Sequence, residues 1–170
     1  RTLPNMKIIA PCDAYEMKIL MKKINNVNGP VYVRIAKGGD RIVTNNSDNI
    51  SFGKALVKEI PGEYLFITTG VMTQIALEAI QILKKRKIKV GLIHFGTVKP
   101  LDKNILNKWV PKAKKIVTVE ENSLAGGFGS SILEHVSDQM PKYASRIKRI
   151  GIKDTFSKKY GTQTELFKNF

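Results

Sequence analysis

Cysteine is almost missing from this 170-residue chain, which carries Cys12 and no other. One cysteine cannot close a disulfide within the chain, which fits a reducing compartment, and a cytoplasmic protein is expected. Histidine is nearly as scarce, with only His94 and His135, so a Cys/His zinc cluster is excluded and no metal site is expected. No apolar run approaches the roughly 18 residues that span a bilayer, so no membrane contact is expected. Arg1-Thr2-Leu3-Pro4 is not followed by the apolar stretch of a secretion signal. Arginine is thin too: six of the 29 cations, leaving 23 lysines behind a net charge of +15. Base-edge recognition favours the bidentate guanidinium, and stacking readers need interleaved aromatics. Here aromatics make up 8% of residues and sit inside apolar runs. The richest basic stretch, Lys84-Lys85-Arg86-Lys87, closes a helix, where positive charge complements the dipole. A solvated lysine surface is the reading, and nucleic-acid binding is not expected.

What is present suffices for a folded core. Hydrophobic residues make up 42% and charged residues 25%, ordinary values for a globular chain. The length allows one domain, or one domain plus part of another. Met6 to Ile9 reads as a strand stopped at Pro11. Asp13 with Glu16 three residues on forms a capping box, opening a helix with a stripe of Met17, Leu20, Met21 and Ile24. Asn28-Gly29-Pro30 ends it, and Val31 to Ile35 is a second strand. Two strands do not stabilise themselves, so this unit reads as the tail of a larger domain.

A polar stretch from Gly38 to Asn49 has linker composition, and the boundary falls there: 1–40 and 41–170. Beyond it strand and helix alternate. The strands are Tyr64–Thr68, Val90–His94, Lys115–Val119 and Arg146–Ile152, with Phe52–Val57 as a further edge strand. One helix runs from Met72 to Lys87, with Met72, Ile75, Ala76, Ala79, Ile80 and Leu83 on one face, and a short one from Ile105 to Trp109. A third is opened by a Ser131/Glu134 capping box and stopped by Pro141. The pattern predicts a three-layer α/β fold, a mostly parallel sheet with helices on both faces, preceded by the strand–helix–strand remnant.

In such sheets ligands bind outside the carboxyl ends of the strands. Those ends are Thr68-Thr69-Gly70, His94 to Thr97, Glu120-Glu121-Asn122 and Gly151 to Asp154. Glu120 and Glu121 are adjacent strand residues that point to opposite faces, so they read as strand-end carboxylates pairing with lysines. His94 reads as a hydrogen-bonded strand end, His135 as solvated, and Cys12 has no recognisable histidine partner. The turn Gly126-Gly127-Phe128-Gly129 could offer amides to an anion, but Ile132 breaks the dinucleotide fingerprint, and tight helix packing is the expected role. No catalytic set is expected.

Leu3-Pro4-Asn5-Met6, Pro11-Cys12-Asp13-Ala14-Tyr15-Glu16 and Gly29-Pro30-Val31-Tyr32-Val33-Arg34 together resemble the end of the pyrimidine-binding domain of transketolase-family enzymes. Thr69-Gly70, Thr97-Val98-Lys99-Pro100-Leu101-Asp102, Thr118-Val119-Glu120-Glu121-Asn122, Gly126 to Gly129 and Gly151 to Phe156 are similar to successive motifs of that family's C-terminal domain. The resemblance implies thiamine diphosphate and Mg²⁺ in the complete enzyme, and transfer of two-carbon ketol units between sugar phosphates. The family's Gly-Asp-Gly metal motif and activating glutamate do not occur here, so this part alone is expected to bind no cofactor and to be inactive. Deoxyxylulose-phosphate synthases and 2-oxo-acid dehydrogenase β subunits share the architecture and are the alternatives, with a non-catalytic assembly or regulatory module behind them. The resemblance places a substrate-phosphate contact at Arg34 and Lys37. The partners it implies are a second copy and the missing cofactor-binding domains or a companion subunit. Phe52 to Val57 and Phe95 to Leu101 are the expected dimer contacts.

Overall fold

Tyr64–Thr68 carries an apolar side chain on either side of its pleat, the pattern of a strand covered on both faces. In the computed structural model, which describes residues 1–36, 39–156 and 160–167, that segment (β4) lies at the centre of a five-stranded sheet. The other strands are Leu56–Glu59 (β3), Val90–His94 (β5), Lys115–Ser123 (β7) and Ile147–Ile152 (β8). Their order is β3-β5-β4-β7-β8. All pairings are parallel except that of edge strand β3, which runs antiparallel to β5.

The two faces are covered by different helices. Leu65, Ile67, Ile93 and Ile116 pack with Leu106, from Lys103–Trp109 (α3), and with Ile132 and Val136, from Phe128–Gln139 (α4). On the opposite face Phe66 and Leu92 meet Ala76 and Ile80 of Met72–Lys85 (α2). Burial of side chains this size contributes about 1.5–3 kcal/mol each. The α/β class and helices on both faces are as the alternation predicts.

The N-terminal unit is a second, smaller sheet. Lys7–Ile9 (β1) pairs in parallel with Val31–Val33 (β2), joined by Ala14–Ile24 (α1). Its third strand comes from the far part of the chain: Thr97–Lys99 (β6) pairs antiparallel with β1. Only Phe95 and Gly96 separate β5 from β6, so one continuous stretch belongs to both sheets. Leu20 of α1 and Ile9 of β1 share a core with Ile50 and with Leu56 of β3.

Several local expectations shift. Helix α1 buries Leu20 but leaves Met21 exposed, its face instead flanked by Tyr15 and Ile19. In α2 the buried residues are Thr73, Gln74, Ala76 and Ile80, and Ile75 is exposed. The edge strand begins at Leu56, because the chain turns at Gly53, which has φ 76°. Helix α4 starts at Phe128; Ser131 lies inside it with its hydroxyl donating to the Phe128 carbonyl, and Glu134 pairs with Arg1. The polar stretch before residue 50 is docked, with Thr44 buried. Phe95 to Val98 is buried within the chain, so that part of the expected dimer contact is not a surface. Among the described residues, no helix is long and apolar enough to cross a membrane.

Gly91, inside β5, is required by a close approach. A Cβ there would stand 2.3 Å from the Pro61 Cα and 2.8 Å from the Pro61 nitrogen, and backbone cannot swing aside. Gly91→Ala is expected to cost about 1–3 kcal/mol by overpacking. Urea unfolding measures it, and an unchanged midpoint would contradict this contact.

Candidate functional site

β4, β7 and β8 are parallel neighbours, so their carboxyl ends open side by side. Thr69-Gly70, Glu121-Asn122 and Gly151 form one wall of a cleft of about 810 Å³. The small sheet supplies the other wall, with Ile8, Tyr32 and Arg34. The lining is mostly apolar with a few polar groups, the usual character of a small-molecule site.

At its floor the glycine-rich turn is already matched to an anion. The Glu120 carboxylate accepts the Phe128 amide at 2.6 Å and the Gly129 amide at 2.8 Å. Two of the unpaired amides of the α4 N-terminus are thereby satisfied from within the chain. Burial pushes this carboxyl up, against the pull of the two amides and of Arg149 and Arg34. A Cβ on Gly127 would lie 2.2 Å from Glu120 Oε2, and one on Gly129 2.4 Å from Thr118 Oγ1. Tight packing is therefore what the glycines serve, and Glu120 is a buried helix cap, not a lysine partner. An external anion does not find those two amides free.

The second cluster lies where the two sheets meet. Asp13 caps α1 by accepting the Glu16 amide at 2.8 Å, and its other oxygen accepts the Val43 and Thr44 amides at 2.7 and 2.6 Å. The Thr44 hydroxyl joins them at 2.7 Å. Burial opposes ionisation of Asp13, but these four donors outweigh it and hold the carboxyl below its ordinary value. Glu16 does not close the expected box. Its Oε2 accepts the Cys12 amide at 2.7 Å and meets His94 Nε2 at 2.8 Å. Burial again opposes, yet His94 and the Cys12 donors hold Glu16 low. His94 Nδ1 lies 2.6 Å from Thr73 Oγ1, itself 2.8 Å from Thr68 Oγ1. Gln74 Nε2 donates to the Cys12 carbonyl at 2.7 Å. Burial, then the Glu16 and Asp13 charges, push the Cys12 thiol far up, so it is no nucleophile.

The remaining sequence candidates divide. Arg34 follows β2, is fixed by its amide on the Ile9 carbonyl at 2.8 Å, and turns its guanidinium onto the Glu121 carbonyl at the cleft. Lys37 lies outside the described residues. His94 is the strand-end residue expected, although wholly buried, whereas His135 is also buried and bonded to Asn107 at 2.9 Å. Cys12 does have a histidine neighbour, which its sequence context did not reveal. The Cys12–Glu16 spacing of one helical turn is the only local hint of that cluster.

Comparison with known proteins gives one consistent picture. The family profile "Transketolase, C-terminal domain" matches residues 42–170. A 1-deoxy-D-xylulose-5-phosphate synthase of Clostridium tetani is 35% identical over 99% of the chain, which covers 27% of that protein. A protein of Methanocaldococcus jannaschii named "Putative transketolase C-terminal section" is 35% identical over the whole chain, which covers 52% of it. Among solved structures, one titled "Split gene transketolase, inactive beta4 tetramer" superposes with a TM-score of 0.90 at 29% identity, over 99% of this chain and 54% of that one. The chain thus spans about half the length, or less, of these relatives.

The junction yields a prediction with a definite sign. Groups held below their ordinary values contribute stability that is present above the ordinary carboxylate range and lost as pH falls through the folded-state value. Asp13 and Glu16 both act this way. Asp13→Asn should cost about 1–3 kcal/mol at neutral pH, since it unbalances a fully used buried acceptor. The gap to the parent should narrow as the medium is acidified through and below that range. Denaturant midpoints across pH test this, and a constant gap would refute the linkage.

Proposed function

We propose, because the chain belongs to the transketolase family through its C-terminal domain, that it is the C-terminal section of a thiamine diphosphate-dependent transferase of two-carbon ketol units between sugar phosphates. The observation that carries this reading is the construction of the small sheet. Among the described residues of 1–40 the elements are β1, α1 and β2, yet they share the sheet with β6 and face the carboxyl edge of the larger one. This supports residues 1–40 as the tail of a pyrimidine-binding domain and 41–170 as the C-terminal domain. A deoxyxylulose-phosphate synthase is the second reading, favoured by the 35% identity to such an enzyme over nearly the whole chain.

The residues present do not fit the cofactor. A diphosphate needs a divalent ion held by oxygen ligands and open amides to receive it. The Gly-Asp-Gly motif is not in this sequence, and the glycine-rich helix start is filled by the Glu120 carboxylate, whose charge would repel a diphosphate. Thiamine diphosphate and Mg²⁺ therefore belong to companion domains or a companion subunit, with which this chain works in the cytoplasm, together with a second copy of itself. Calorimetry with thiamine diphosphate and Mg²⁺ should give no saturable binding to the chain alone. Supplying the companion section should restore cofactor binding and ketol transfer. Micromolar binding by the isolated chain would overturn this assignment.

Arg34 and Lys37 are the proposed contacts to the substrate phosphate. Arg34 lines the cleft beside the strand ends, and a lysine binds phosphate as a point charge. In the complete enzyme Lys37→Ala should raise KM for phosphorylated sugars several-fold while leaving cofactor affinity intact. An equal effect on unphosphorylated substrates would remove Lys37 from the site.

A further inference from the structure

Away from the cleft, a second set of chemically capable side chains converges at the seam between the two sheets. The geometry points to a binding site for one zinc-class divalent ion formed by Cys12, Glu16 and His94. Their donor atoms, a sulfur, a carboxylate oxygen and an imidazole nitrogen, all lie within 4.8 Å of one another, and all three residues are buried. A four-coordinate ion with bonds of about 2.0–2.3 Å keeps its ligands roughly 3–4 Å apart. Donor atoms already within 4.8 Å of one another stand close to that spacing.

Five features organise these donors as a site. Cys12 stands just before the α1 cap and Glu16 one turn further, so both donors lie on one side of the helix start. The Cys12 amide fixes the Glu16 carboxylate. His94 arrives from the end of β5, and Thr73 Oγ1 sits 2.6 Å from its Nδ1. With the imidazole proton moved to Nδ1, where the Thr73 hydroxyl accepts it, Nε2 becomes free for the ion, and that hydrogen bond orients the ring as a ligand. Gly96 makes the room: a Cβ there would fall 2.0 Å from Glu16 Oε1. Gln74 anchors the Cys12 carbonyl, holding the sulfur's loop in place.

The donor set selects the ion. Ca²⁺ and Mg²⁺ prefer shells of oxygen, whereas sulfur with imidazole favours the zinc class. Thiolate and carboxylate together balance a divalent charge, so the loaded site buries no net charge. Loading expels the thiol proton, shifts the imidazole proton from Nε2, where it is donated to Glu16, to Nδ1 facing Thr73, and breaks the direct Glu16–His94 contact. Three protein donors leave one tetrahedral position for water. Since α1 and β5 belong to different sheets, the ion would pin them together, and its binding energy becomes folding energy.

Co²⁺ titration of the tag-free, metal-stripped chain tests this independently of any ketol-transfer activity. Saturation is expected at one equivalent, with a thiolate-to-cobalt charge-transfer band and the intense visible bands of a four-coordinate ion, all discharged by Zn²⁺. Zn²⁺ should also raise the thermal midpoint. Cys12→Ala should abolish the charge-transfer band, and His135→Ala, at the other histidine, should leave it intact. The parent chain alone decides the matter if the cysteine variant misfolds. A folded parent that shows no charge-transfer band with Co²⁺ and no Zn²⁺-dependent rise overturns the site, as does a band that survives Cys12→Ala.

Discussion

The seam between the two sheets is the constraint on which the rest of the molecule depends. A sheet of short strands needs a third strand with an apolar face, or a packed helix, to be stable. Here β2-β1-β6 is held because β6 continues directly from β5, and because Asp13 and Glu16 at the start of α1 reach across to Thr44 and His94. The Val43 and Thr44 amides, His94 and Gln74 are each paired in that seam with a group on a different segment. Removing one partner would strand its mate in a dry interior, which costs more than the bond itself contributes. The cleft inherits its shape from the same seam, since its two walls belong to the two sheets.

Four of the fourteen carboxylates in this chain work indoors. Asp13, Glu16, Asp102 and Glu120 are all buried, and each accepts backbone amides at a helix start or a turn. No lysine or arginine is buried among the described residues. The outer surface is therefore more cationic than a net charge of +15 conveys. Interior acids of this kind act by geometry and are screened little by salt, whereas surface cations act as a field that salt weakens. The charge excess is thus a property of the exterior, separate from the architecture.

Glu120 shows how one internal anion shapes function. By occupying the amides of α4 it fixes the glycine-rich turn and closes a position that in other α/β folds receives a ligand phosphate. Its cost is a carboxylate kept in a setting that disfavours its charge. The rest of the cleft, which Arg34 lines, is left as the place for a ligand.

Local pattern determined much of this protein. Alternating and continuous apolar runs placed β4 and β5 at their observed limits, the Asp13 cap marked the start of α1, and strand–helix alternation gave the layered α/β class. Ordered motifs along the chain carried the family. What tertiary structure alone decided are the pairings between distant residues. Glu16 and His94 are 78 positions apart, and no periodicity links them. Glu120 displaced the Ser131/Glu134 box because a carboxylate from a neighbouring strand reached the α4 amides first. His135 was taken inward by Asn107, 28 positions away. Hydrogen bonds of this kind exist only once the sheets are assembled, since distance in space, not spacing along the chain, sets which donor finds which acceptor.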